Sequence, residues 1–99
     1  MDNVIYYNEL YDLYGVLLTD KQRLYFEDYY FNNLSFSEMA DNYGVSRNAV
    51  FKQLHIVTDK LDDYENKLRL REKRMKINEL LGDVPLTIKE KVEEILMWR

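Results

Sequence analysis

Apolar residues recur along this chain at spacings of three and four, the period of helices that pack on one another. The first helix is predicted over 3–14, with Tyr6, Leu10, Leu13 and Leu17 on one face and Gly15 as its stop. Thr19 stands where an N-cap belongs, and Asp20 follows as an acid favourable in a first turn. A second helix over about 20–32 is heavily aromatic, with Tyr25, Phe26, Tyr29, Tyr30 and Phe31 read as core, and Asn32-Asn33 ends it. Ser35 and Glu38 form a capping box for a short third helix over 36–42. Gly44 then supplies a permissive turn, Val45 is expected to tuck inward, and Ser46 caps what comes next.

From residue 47 to Gly82 there is neither glycine nor proline, so a fourth helix running to about 81 is expected, roughly 50 Å long at 1.5 Å per residue. Val50, Leu54, Val57, Leu61, Tyr64 and Leu68 alternate at four and three along it. Arg71 interrupts the seam and Met75 resumes it. A last helix over 88–98 is predicted after Pro85, with Thr87 and Glu90 as a second capping box and Ile88, Val92, Ile95 and Leu96 as its apolar residues. Trp98 is read as docking this helix or as a contact between protomers. The expectation is one all-α domain over 1–99: a helix-turn-helix at about 35–55, a long basic extension at about 60–81, and the final helix.

Composition agrees with a helical globular chain: 46% hydrophobic, 32% charged, three glycines and one proline among 99 residues. Zero cysteines exclude disulfides, thiol nucleophiles and thiolate zinc sites, and the single histidine, His55, cannot build a metal site alone. No apolar run reaches the roughly 18 residues of a membrane span, and Met1-Asp2-Asn3-Val4 lacks the basic start of a signal peptide, so a cytoplasmic protein is expected. No Gly-rich phosphate loop and no nucleophile–base constellation is present, so neither enzymatic activity nor a cofactor is expected.

Charge changes the picture further. The net charge is −4, yet residues 1–45 carry eight acids against two bases, while 46–76 carry nine bases against five acids. Only the middle segment attracts a polyanion, and the acidic flanks weaken non-specific binding.

That middle segment begins with the grammar of a helix-turn-helix. Ala40 is the small residue where two helices cross, Gly44 four residues on makes the sharp turn, and Val50 six beyond pins the second helix, with Met39, Val45 and Leu54 completing a small core. The exposed start of the second helix offers Ser46, Arg47, Asn48, Phe51, Lys52 and His55. Arginine makes bidentate contacts with guanine and asparagine with adenine; lysine reaches phosphate or guanine, and Phe51 a thymine methyl unless it packs on the first helix. Further along, Lys67, Arg69, Arg71, Lys73, Arg74 and Lys76 form a basic run. It is read either as a clamp on a phosphate backbone, including an RNA helix read by shape, or as a solvated helix face. The pairs Asp62-Asp63 and Glu93-Glu94 are neighbours that point apart on their helices, and make neither an acid–base pair nor a metal site.

Leu18-Thr19-Asp20-Lys21-Gln22-Arg23, Tyr29-Tyr30, Leu34-Ser35, Glu38-Met39-Ala40 and Gly44-Val45-Ser46-Arg47-Asn48-Ala49-Val50 together resemble the YlxM family. Leu61-Asp62-Asp63-Tyr64-Glu65-Asn66-Lys67-Leu68 continues the resemblance, which covers residues 3–70 and weakens beyond them. More distantly, 18–61 is similar to region 4 of bacterial sigma factors, a helix-turn-helix that reads promoter DNA. The YlxM resemblance implies a small cytoplasmic bacterial protein whose gene commonly neighbours those of the signal recognition particle, and hence a regulatory role in that pathway. By the matching motif, Ser46, Arg47, Asn48, Phe51 and Lys52 become recognition-helix positions. The partners implied are DNA, the RNA of the signal recognition particle, or a protein of that particle. A homodimer through the long helix is a further arrangement, and a protein-interaction module that kept the corner without reading DNA is the alternative function.

Overall fold

The structure is a computed structural model and describes residues 3–97. These form six α-helices: α1 Val4–Tyr14, α2 Asp20–Tyr30, α3 Phe36–Tyr43, α4 Arg47–Leu68, α5 Leu70–Leu80 and α6 Leu86–Leu96. A 3₁₀ turn at Gly15–Leu17 joins α1 to α2, and no strand occurs among the described residues. The chain is all-α, as its periodicity predicts.

Helices α2, α3 and α4 start where residue chemistry tells them to. Thr19 accepts from the Gln22 amide at 3.2 Å while the Gln22 side chain accepts from the Thr19 amide at 3.0 Å, closing a capping box on α2. Ser35 and Glu38 do the same for α3 at 3.1 Å each. Each box satisfies two orphan amide donors, which is why the entries to α2 and α3 are fixed locally.

Two clusters of buried side chains share α4 as their spine. Leu10, Tyr14, Leu18, Phe26, Tyr30, Val57 and Leu61 fill the space between α1, α2 and the distal half of α4. Tyr25, Met39, Ala40, Val50 and Leu54 close the corner between α2, α3 and the proximal half. Tyr29 packs against both. Phe26 is stacked between Tyr11 and Tyr30, with ring centroids 4.4 Å away on each side. The aromatic richness of α2 is therefore core chemistry, as read from the sequence, except at Phe31, which is 49% exposed because α2 ends one residue before it.

Several details differ from expectation. Gly15 does not stop α1 with a left-handed residue but opens the 3₁₀ turn at φ −56. That turn rotates Leu17 into solvent and gives its buried place to Leu18. Val45 is exposed as well, since Met39, Ala40, Val50 and Leu54 close the corner without it. The predicted cap pair Thr87–Glu90 does not form: α6 begins at Leu86 behind Pro85 with no side-chain cap, leaving Thr87 inside the first turn. Trp98 lies outside the described residues.

The largest departure is the long helix. It breaks at Arg69, which adopts the left-handed conformation at φ 55 without being a glycine. Such a residue is strained by about 1–2 kcal/mol, and neighbouring contacts offset it. Glu65 Oε1 accepts from the Tyr14 hydroxyl at 2.6 Å and from the Arg71 amide at 3.0 Å, and Oε2 accepts from the Glu72 amide at 3.2 Å. The Tyr14 hydroxyl in turn accepts from the Leu70 amide at 3.0 Å. The first three amides of α5 are thus capped by a carboxylate on α4 and a phenol on α1. The seam ends with the break. Val50, Leu54, Val57 and Leu61 are fully buried, whereas Leu68 and Met75 are 45% and 48% exposed.

Beyond the break, α5 and α6 contribute no buried residue. They make an arm on the body formed by 3–68, within an envelope of 51 × 25 × 24 Å.

Candidate nucleic-acid interface

The corner between α3 and α4 is built by four residues with separate tasks. Gly44 takes φ 65, which only glycine adopts without strain, and a Cβ there would meet no atom within 4 Å, so the requirement is for backbone conformation and not for space. The Val45 amide then donates to the Ala40 carbonyl at 3.1 Å, closing the end of α3. Ser46 accepts from the Ala49 amide at 3.0 Å and starts α4. Ala40, 5% exposed, lies within the buried cluster that joins α3 to α4.

This corner presents Ser46, Arg47, Asn48, Phe51, Lys52 and His55 together on one exposed face across the first turns of α4. Neither Arg47 nor Lys52 has an ion pair or a hydrogen bond from its side chain among the described residues. Phe51 is 42% exposed and packs edge-on against His55, with centroids 4.5 Å apart, and at 6.0 Å from Phe36. Its neighbour is therefore the start of α3 and not the first helix. Ser35, Phe36 and Ser37 line a shallow groove with Arg47, Asn48 and Phe51. Those α3 residues belong to the same surface, and the sequence reading missed them. The available signal was the capping box itself, which fixes the start of α3 beside the start of α4.

The basic run is placed differently. Lys52 and Lys67 lie fifteen residues apart on α4, a separation of roughly 22 Å, so the run does not merge with the exposed face at the start of α4. Most of its charges meet carboxylates of the same chain. Lys67 pairs with Asp63 at 2.8 Å, and this hydrogen-bonded pairing raises the pKa of Lys67. Arg69 and Lys76 both pair with Glu72 at 3.3 Å, holding its carboxyl below the ordinary range, Lys76 contributing most. Arg71 pairs with Glu9 on α1 and lies 4.9 Å over the Tyr6 ring. Arg74 donates to the Met97 sulfur and approaches Glu93 at 3.9 Å. Lys73 alone in the run is exposed with no partner among the described residues. The paired acids are used singly: Asp62 accepts from the Tyr7 hydroxyl at 3.0 Å and Asp63 binds Lys67.

The fold and this surface define a small all-α helix-turn-helix protein, and no described helix is long and apolar enough to cross a membrane. The family model described as "Putative helix-turn-helix protein, YlxM / p13 like" matches residues 1–96, and the chain belongs to that family, UPF0122. The match extends well past residue 70, so the arm is part of the family pattern and not an appendage to it. Among relatives, a UPF0122 protein of Shouchella clausii is 43% identical over 84 residues, covering 85% of this chain and 77% of its own length. One of Staphylococcus epidermidis is 45% identical over 73 residues, 74% of this chain and 66% of its own. One of Caldanaerobacter subterraneus is 42% identical over 76 residues, 77% of this chain and 65% of its own. The match thus spans about two-thirds to three-quarters of these relatives.

Proposed function

We propose that this protein binds nucleic acid through the start of α4, as a non-enzymatic regulatory protein of the cytoplasm acting in the signal recognition particle pathway. One observation carries the reading. A left-handed glycine between two capped helices leaves Arg47, Asn48 and Lys52 exposed, side by side and without partners among the described residues. In this reading Arg47 and Asn48 contact base edges, while Lys52 and the hydroxyls of Ser35, Ser37 and Ser46 hold phosphate. His55 and Phe51 extend the contact by one turn. The basic run supplies at most a secondary contact, because its side chains are largely engaged with Asp63, Glu72, Glu9 and Glu93.

The resemblance to YlxM proteins makes the RNA of the signal recognition particle the first ligand to try. Fluorescence anisotropy with that RNA, with random duplex DNA and with the reconstituted particle, each at two salt concentrations, tests the proposal. Arg47→Ala and Lys52→Ala are each expected to weaken binding by about tenfold, the loss of one good base or phosphate contact. Unchanged affinity in both variants would refute the assignment of the surface. Binding to the particle but to neither nucleic acid would favour the protein-interaction reading, which the uncovered apolar side chains of α5 and α6 support.

A further inference from the structure

Nothing in the residues around the break between α4 and α5 forbids an unbroken helix. From 66 to 72 the chain reads Asn-Lys-Leu-Arg-Leu-Arg-Glu, without glycine, proline or a β-branched residue, and all but the asparagine are good helix formers. The break nonetheless holds Arg69 at φ 55, a conformation that an L side chain disfavours.

The hydrogen bonds across the break balance. In an unbroken helix the amides of Leu70, Arg71 and Glu72 donate to the carbonyls of Asn66, Lys67 and Leu68. Here the same three donate to the Tyr14 hydroxyl and to the two oxygens of Glu65, at 3.0, 3.0 and 3.2 Å. On either side the helical ladder is intact: the Arg69 amide reaches the Glu65 carbonyl at 2.8 Å, and the Lys73 amide the Arg69 carbonyl at 2.9 Å. The pairs Lys67–Asp63, Arg69–Glu72 and Lys76–Glu72 have spacings of three and four, which an unbroken helix also brings together. Only polar contacts hold the arm bent: the acceptors on Tyr14 and Glu65, the Arg71–Glu9 ion pair, and Arg71 over the Tyr6 ring. No residue of α5 or α6 is buried.

We propose that Arg69 is a two-state hinge. One state is the docked arm described above; in the other, α4 and α5 fuse into one straight helix over 47–80. Passing between them exchanges three hydrogen bonds for three, relieves Arg69, and gives up the contacts of Arg71 with Glu9 and Tyr6. The docked form predominates, because a carboxylate accepts from an amide more strongly than a carbonyl does. Straightening frees Arg71 and uncovers the side of α1 that bears Tyr6, Glu9 and Leu13. The exposed face at the start of α4 is untouched, so the hinge does not depend on what that face binds.

Residual dipolar couplings of the backbone amides in the full chain test this, because the N–H bonds of a straight helix all lie along one axis. In the wild type, the couplings of 50–66 and of 72–79 are expected to cluster at two different values. Tyr14→Phe with Glu65→Gln keeps the ring and the side-chain size while removing two of the three acceptors. Each lost acceptor should shift the balance toward the straight form by about tenfold, the worth of one strong hydrogen bond, so the two clusters merge toward one value. Adding Arg69→Gly, which removes the left-handed penalty and weakens a straight helix, should separate them again. Clusters that stay apart in the double variant would overturn the hinge. So would α5 couplings that shrink toward zero, the sign of an arm that melts, or a merged pattern that Arg69→Gly leaves as it is. If the double variant proves too unstable to measure, Tyr14→Phe alone should move the α5 couplings part of the way toward those of α4, and no movement there would overturn the hinge equally.

Discussion

Replacing Glu65 by alanine should be among the most damaging single changes at a polar position of this protein. The carboxylate holds three donors across a helix break: the Tyr14 hydroxyl and the amides of Arg71 and Glu72. Tyr14 is 1% exposed, so its hydroxyl has no access to water as a substitute partner. Losing a charge-assisted hydrogen bond to a buried group costs about 1.5–3 kcal/mol, and losing a helix cap adds about 1. The sum, about 3 kcal/mol, is a large share of the roughly 5–15 kcal/mol that stabilises a chain of this size. Urea unfolding followed by circular dichroism should show the midpoint falling with the slope unchanged, and the melting temperature dropping by on the order of 15 °C. Tyr14→Phe should cost about 2 kcal/mol, because it frees both Glu65 and the Leu70 amide. The double variant should cost clearly less than the two singles added, since both remove the same contact. A Glu65→Ala protein within about 0.5 kcal/mol of wild type, the range of an ordinary surface change, would refute the claim that this clamp sets the break.

Three further outcomes follow from the same geometry. Gly44→Ala should destabilise by about 1–2 kcal/mol through its left-handed backbone alone, measurable by urea unfolding, since the added methyl meets nothing. Leu54→Ala, at a fully buried position of the corner, should cost about 2–5 kcal/mol and lower nucleic-acid binding in proportion to the unfolded fraction. Burial, then hydrogen bonds to Asp62, Glu65 and Asp28, push the hydroxyls of Tyr7, Tyr14 and Tyr43 up to about 12 from an ordinary value near 10. The folded state binds these protons more tightly than the unfolded one. Their contribution is therefore whole below pH 10 and is lost as pH rises through 12, so a pH titration of the urea midpoint should fall across that window and not before it.

The elements through residue 68 were legible because their determinants are local. Thr19, Ser35, Gly44 and Ser46 each act on amides or carbonyls within a few residues, and the four–three seam from Val50 to Leu61 reports directly on burial. The break at Arg69 was not legible for the opposite reason. No glycine or proline marks it, and the groups that hold it are a tyrosine 56 residues away from Leu70 and a glutamate that reads as an ordinary seam-flanking charge. The same distance hid the fate of Arg71, whose partner Glu9 is 62 residues upstream. At Thr87 the local pattern was present and misled, because Pro85 fixes the backbone at φ −56 and starts the helix two residues earlier than the box requires.

How the basic run behaves toward a polyanion decides between the two uses of this molecule, and salt dependence measures it. The pairs Lys67–Asp63, Arg69–Glu72 and Lys76–Glu72 are solvent-exposed, with side-chain exposures between 44% and 70%. Exposed pairs are worth about 0–1 kcal/mol, so a nucleic acid brought close by the recognition face could compete for them. Competition is nonetheless not free, since each base released leaves a carboxylate beside the incoming phosphates. Even if Arg47 met a phosphate as Lys52 does, the two alone would give a fall of the logarithm of affinity against that of salt no steeper than about −2 per chain. If Lys67, Arg69, Lys73 and Lys76 join them, the slope should approach about −5 per chain. The geometry favours the shallow value, because the run lies roughly 22 Å along α4 from Lys52 and Glu72 already holds two of its bases. A measured slope near the steep value, abolished by Lys73→Glu with Lys76→Glu, would make α5 a nucleic-acid clamp.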